Sequence, residues 1–203
     1  LWHRLTIEGP APTGLIARLA VAIAARAPAA PARLMVPVDV RNYRRGLRAT
    51  GNLSYPLFLE VAAEQPWRDV QRTVLKGLKD KAPLHLDPAE RIAPWLPLWF
   101  FAGFYRLWIA TQQRRGRYPF TALLSQIALQ TTAPLDAPGF ATRALFVLPM
   151  QSDIFPLTLA VATVAGRVDV VLSAPEALVD RAGLARLADA ARAQLVAESV
   201  AAA

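Results

Sequence analysis

The run FPLTLAVATVAGRVDVVLSAP, residues 155–175, constrains the fold more than any other part of the chain. Its two halves, 155–166 and 167–175, are rich in β-branched and apolar residues, and Ala165-Gly166 between them is a turn signal. They read as an antiparallel hairpin. Two further β-rich runs precede it, FTALLSQIAL (120–129) and TRALFVLPM (142–150), so the last third reads as a sheet.

The rest of the chain interleaves strands with amphipathic helices. RLTIEG (4–9) alternates in polarity as a strand does, with Leu5 and Ile7 on one face. Thr13 is placed to N-cap a broad apolar helix over 14–27, which the prolines of PAAPA end. Strands are expected at 33–40 and 53–62. Residues 65–81 place Trp67, Val70, Val74, Leu75 and Leu78 on one helical face. Asp87-Pro88 offers an N-cap and first-turn pair for another helix, and Asp180 offers a cap for a closing helix with Leu184, Leu187, Ala191 and Leu195 on one side. The order is β-α-β-β-α-α-β-β-β-β-α. That order specifies an α/β two-layer sandwich, a mixed β-sheet with helices packed on it, as one domain over 1–203.

Composition narrows the function. Hydrophobic residues make up 54% and charged residues 19%, which excludes a disordered chain. There is no cysteine, which excludes disulfides and thiolate metal or redox sites. With no disulfides to read, the compartment is not fixed by composition, and the cytosol is the default. The formal charge is +8 and uneven, at +6 over residues 1–50 and −2 over 151–203. A basic half favours an anionic partner. The chain opens on Leu1 with strand-like residues, so it is expected to be a piece of a longer polypeptide.

Residues 92–111, IAPWLPLWFFAGFYRLWIAT, are the most hydrophobic stretch. Pro94, Pro97 and Arg106 argue against a bilayer span. The basic QQRRGR that follows leaves an interfacial helix open. Packing inside the domain or against a neighbouring one is the favoured expectation, because aromatic stripes are more often core. Membrane-surface contact and nucleic-acid binding are not favoured.

A complete catalyst is not visible. The only histidines are His3 and His85, and no serine lies beside one. There is no phosphate-binding glycine loop, no histidine pair with metal-ligand spacing and no nucleophile elbow. No metal site and no tightly bound cofactor are expected.

The segment PVDVRNYRRGLRATGNLSYPLFLEV, residues 37–61, is a strand ending in an arginine, a loop, and a Gly-Asn that opens another strand. It resembles a stretch in the C-terminal half of the condensation-domain superfamily. These acyltransferases are related to chloramphenicol acetyltransferase and include the condensation domains of nonribosomal peptide synthetases. RYPFTALLSQIAL resembles the strand that enters their inter-lobe region, often written Ser-Asn where this chain has Ser125-Gln126. Residues 155–195 resemble their terminal hairpin and helix.

The resemblance implies a fold of two similar α/β lobes with a tunnel between them, and a catalytic His-His-x-x-x-Asp-Gly motif in the N-terminal lobe. No such motif stands in this sequence. The chain is thus expected to be the C-terminal lobe, with an N-terminal lobe as its partner and an acyl or peptidyl carrier protein as a second partner. The substrate would be a thioester of coenzyme A or phosphopantetheine. By the same resemblance Arg41, Gly51 and Asn52 are structural, with Arg41 tying the loop to the Gly-Asn strand. Gly51 is expected to supply a backbone conformation barred to other residues, and Asn52 to bond local backbone groups. Arg44, Arg45 and Arg48 are candidates for docking a phosphate, since the guanidinium fork matches it. Ser125 is the candidate donor to a tetrahedral oxyanion. Two rival readings stand beside this one: a non-catalytic binding or scaffolding relative, and a basic protein that binds a lipid or nucleic-acid surface.

Overall fold

The computed structural model of the protein describes residues 1–27, 31–43, 51–85, 92, 95–115, 118–129, 133–164 and 166–196. Six strands form one sheet. They are β1 (Trp2–Glu8), β2 (Ala32–Asp39), β3 (Ser54–Val61), β4 (Ala122–Leu129), β5 (Thr158–Val164) and β6 (Arg167–Ser173). Their spatial order is β1-β6-β5-β4-β2-β3. β4 runs parallel to both β5 and β2, and the other neighbours are antiparallel. The expected hairpin is β5–β6, with Val164 opposite Arg167 and Gly166 at φ +79°. That left-handed value is one that glycine adopts without steric cost.

Among the described residues four α-helices accompany the sheet: α1 (Leu15–Ala24), α2 (Trp67–Lys79), α3 (Leu98–Arg114) and α4 (Arg181–Val196). Side chains alternate across each strand, and α1, α2 and α4 cover one side of the sheet. Leu5, Leu34, Leu59, Leu124, Leu159, Val170 and Leu172 meet Leu19, Ile23, Val70, Leu184 and Leu195 there in one buried cluster. Each such leucine or valine, buried in full, stabilises the fold by about 1.5–3 kcal/mol before chain entropy is counted. Asp180 caps α4 as its position implies, with its Oδ1 accepting from the Gly183 amide at 2.6 Å.

Two expectations are corrected. Thr13 does not cap α1. The N-cap is Gly14, in the left-handed region at φ +72°, and no side chain caps the helix. Residues 142–150 are not a strand. Thr142 donates its amide to Asp136, and no backbone group of 143–150 has a backbone partner among the described residues. The alternating pattern is present, but no neighbouring strand pairs with it. Residues 92–111, expected to pack inside the domain or against a neighbouring one, leave most of their aromatics outside the core of this chain. α3 is regular, yet Trp95, Leu98, Trp99, Phe104 and Leu107 stand exposed. The Asp87-Pro88 helix start lies outside the described residues.

Candidate functional site

The second side of the sheet can be read row by row from the strand register. Ser125 stands beside Ala160, which stands beside Val171, which stands beside Arg4. The next row is Ile127, Ala162, Asp169 and Thr6. The two alanines next to Ser125 and Ile127 leave room above the sheet. Ser125 is half-buried, and its hydroxyl has no hydrogen-bond partner among the described residues. It is on the side opposite α1, α2 and α4, since its neighbour Leu124 belongs to the helix-covered core. Gln126 points the other way and lines a cleft together with α1 and α2.

That cleft has a simple origin. β2 and β4 pair only at Leu34–Ala122 and Met35–Leu123. Beyond those residues the two parallel strands separate, so the sheet splits between Val36–Val38 and Gln126–Ala128. The gap is an apolar cleft of about 460 Å³ lined by Leu15, Val36, Val38, Leu57, Val74 and Gln126. In sheets with parallel strands, ligands bind where carboxyl ends of neighbouring strands diverge. Ser125 sits at the start of this divergence, and the arginine loop begins at its open end, directly after β2.

The loop is anchored differently from expectation. Arg41 does not bond the Gly-Asn strand. Its Nε donates to both carboxylate oxygens of Asp39, at 2.9 and 3.0 Å, its Nη2 lies 2.8 Å from Oδ2, and its backbone N–H donates to Oδ1 at 2.9 Å. Both side chains are exposed. Hydrogen bonds from the Arg41 side chain and backbone hold the Asp39 carboxyl below the usual carboxylate range, and the same partner raises Arg41. β3 is tied in by the Val40 amide, which donates to the Leu53 carbonyl at 3.0 Å. Gly51 is outside the left-handed region, and a Cβ there would meet nothing within 4 Å, so no steric demand for glycine exists at that position. Asn52 Oδ1 accepts from the Ser54 amide at 3.1 Å, a local turn bond. Arg44, Arg45 and Arg48 lie outside the described residues.

The histidines stay apart from Ser125. His3 alternates with Trp2 and Arg4 on β1, and so shares the helix-covered side with Leu5. His85 is exposed at the end of a short 3-10 turn after α2. Among the described residues, no group of three His, Asp or Glu side chains could hold a metal ion. No helix of the described residues is long and apolar enough to cross a membrane.

One polar group was missed by the sequence reading. Asp169 is buried on the second side of the sheet and accepts hydrogen bonds from Arg4 Nε at 3.0 Å, Thr6 Oγ1 at 2.6 Å and Arg167 Nε at 2.9 Å. Burial alone would raise its pKa. The bonds from Arg4, Arg167 and Thr6 outweigh that and leave the carboxyl below its ordinary value. The Arg4 guanidinium also lies 4.0 Å from the centroid of the Phe146 ring, which pins the strandless segment to β1. A lone aspartate inside an apolar strand pattern was the available signal.

No protein family and no curated protein is matched by the sequence. Solved structures are similar in fold. The starter condensation domain of rhizomide synthetase RzmA matches with a TM-score of 0.56 and 13% identity, over 98% of this chain and 45% of that one. A wax ester synthase/diacylglycerol acyltransferase from Marinobacter aquaeolei VT8 matches with a TM-score of 0.57 and 11% identity, over 100% and 49%. A probable dihydrolipoamide acetyltransferase from Listeria monocytogenes matches with a TM-score of 0.52 and 12% identity, over 96% and 83%. The chain thus spans about half the length of the condensation domain it matches. Its mixed six-stranded sheet with helices packed on it has the condensation-domain and chloramphenicol-acetyltransferase-like fold.

Proposed function

We propose that this chain is the C-terminal lobe of a condensation-type acyltransferase, which moves an acyl group from a thioester to an amine or hydroxyl in the cytosol. The observation that supports this reading most is the unpartnered hydroxyl of Ser125, on the side of the sheet away from α1, α2 and α4 and at the start of the β2–β4 divergence. The strandless segment 143–150 supports it as well. A run whose backbone groups have no backbone partner among the described residues can pair with a neighbouring strand, and an N-terminal lobe would supply one.

In this reading the partner lobe's histidine takes the proton of the acceptor amine or hydroxyl. The acceptor's lone pair attacks the thioester carbonyl carbon, and the carbonyl oxygen becomes an oxyanion. Ser125 donates its hydroxyl hydrogen bond to that oxyanion, a contact stronger in the transition state than in the ground state. The intermediate collapses, the carbon–sulfur bond breaks, and the thiolate recovers the proton held by the histidine. The donor is a thioester of coenzyme A or of a carrier protein's phosphopantetheine arm. Its phosphate docks on Arg44, Arg45 and Arg48. Neither is held as a resident cofactor.

Steady-state kinetics of the assembled enzyme test these roles. Ser125→Ala should lower kcat by about 100-fold with little change in KM. The triple change Arg44→Ala, Arg45→Ala and Arg48→Ala should leave kcat and Tm unchanged and raise KM for the thioester, most at low salt, where exposed charges act furthest. Unchanged kcat in the first variant would remove Ser125 from the chemistry. Unchanged KM in the second would make the cations a solvated face.

A further inference from the structure

We propose that α3 docks the protein on an anionic lipid surface, lying in the interface rather than crossing it. The helix has two sides. Trp108 and Gln112 line a cavity with Phe58, Tyr118 and Phe120, and Ile109 is buried. These residues seat the helix on the β2–β3 end of the sheet. Away from them, Trp99, Phe100, Gly103, Phe104 and Leu107 follow the four-residue spacing that puts side chains on one helical face. Trp99 is 75% exposed and Leu107 69%, and Trp95 just before the helix is 86% exposed. The ring contacts of Trp99 and Phe100 are with neighbouring rings of the same helix, at 6.2 and 6.3 Å. A patch of this kind marks an interaction surface.

Charge selects the occupant. From Arg91 to Arg117 the sequence holds five arginines and no acidic residue. Arg106, Arg114 and Arg115 belong to the helix and its end, and Arg114 and Arg115 are exposed there. Tryptophan, phenylalanine and leucine on one face, with arginine alone as the charged type, is the composition of an interfacial helix on anionic lipid. A protein partner would need a matching acidic rim around an aromatic pocket, whereas an anionic membrane offers phosphate and hydrocarbon together. α3 stands at the β2–β3 end on the same side of the sheet as Ser125, because Phe58 alternates with the core residues Leu57 and Leu59; the inference rests on its exposed apolar face and its arginines, not on the acyl-transfer reading.

The test is vesicle co-flotation of the 203-residue chain, with phosphatidylcholine vesicles and with phosphatidylcholine vesicles containing phosphatidylglycerol. Binding is expected on the second set, weaker at high salt and accompanied by a blue shift of tryptophan emission. Arg106→Gln, Arg114→Gln and Arg115→Gln together should reduce it about 100-fold. Trp99→Ser, Phe104→Ser and Leu107→Ser together should abolish the emission shift and leave Tm unchanged, because these side chains are outside the core. Several results overturn the proposal. They are equal binding to both vesicle types, no binding to either, and binding untouched by the arginine changes. A fall in Tm in the apolar variant would show a packed face, and a dimer in light scattering that the apolar changes dissolve would assign the patch to a second copy. Loss of flotation on adding a partner lobe would assign it to that lobe.

Discussion

The guanidinium of Arg18 lies 4.0 Å from the centroid of the Trp67 ring, and Arg18 is only 1% exposed. The pair joins α1 to α2. Arg18 Nε also donates to the Thr13 carbonyl and Nη1 to the Gln194 carbonyl, both at 2.8 Å, so one side chain ties the start of α1 to the end of α4. A buried cation persists because its donors are used and an aromatic face replaces water. Arg18→Met should cost about 2–4 kcal/mol in urea denaturation, mostly from carbonyls left unpaired. A double-mutant cycle with Trp67→Leu should return a coupling of about 0.5–2 kcal/mol. Additive effects would show that the stacking carries no energy.

Gly14 belongs to the same corner. A Cβ there would come within 2.6 Å of Trp67 Cε3, and its φ of +72° already disfavours any other residue. Gly14→Ala should lower stability by more than about 1 kcal/mol, against the usual direction of a glycine-to-alanine change. Gly166→Ala is the control, because it carries the φ penalty at +79° with nothing within 4 Å of the added Cβ. Equal costs at the two sites would remove Trp67 from the explanation.

Asp169 gives a pH dependence with a definite sign. Its carboxyl is held below the ordinary aspartate value in the folded chain. Its contribution is therefore complete above the unfolded pKa, about 4, and is lost as pH falls through the folded pKa. Thermal unfolding followed at pH 7 and then on acidification checks this. Asp169→Asn should cost roughly 2–4 kcal/mol at pH 7. The variant should also lose less Tm than the parent below about pH 4. Parallel acid losses in the two proteins would show that other carboxylates govern the acid limb.

Arg41 and Asp39 make the contrasting case. Their bonds are short, but both side chains face water, where an ion pair contributes little. Arg41→Ala should leave Tm nearly unchanged at physiological salt. A clear fall would mean that the pair organises the loop that follows it.

The strands were legible from alternation, and the β5–β6 hairpin from its Ala-Gly turn, because those signals are local. The start of α1 was misread. Thr13 has a capping side chain, but Gly14 takes the cap position in a left-handed conformation, beside a Trp67 ring that leaves no room for a Cβ. Residues 143–150 have a strand's alternation, and pairing depends on a neighbour that local sequence does not specify. The aromatics of α3 were expected inside the domain or against a neighbouring one, because hydrophobicity states a preference for burial without naming the surface that provides it. Ser125 was read on a strand, and β4 carries it. The divergence of β2 from β4 beside it was invisible, since the pairing of two strands so far apart in sequence is set only in the folded sheet. Asp169 was overlooked because its three partners come from β1 and β6, joined only in the folded sheet.

The most direct measurement is thiol release from an acyl thioester by the purified 203-residue chain, alone and mixed with an N-terminal lobe carrying the His-His-x-x-x-Asp-Gly motif. If the Ser125 side of the sheet is one wall of a two-lobe site, the chain alone should release no thiol above the buffer rate. The mixture should turn over, and Ser125→Ala should slow it by about 100-fold. Turnover by the chain alone at the rate of the mixture would contradict the two-lobe site.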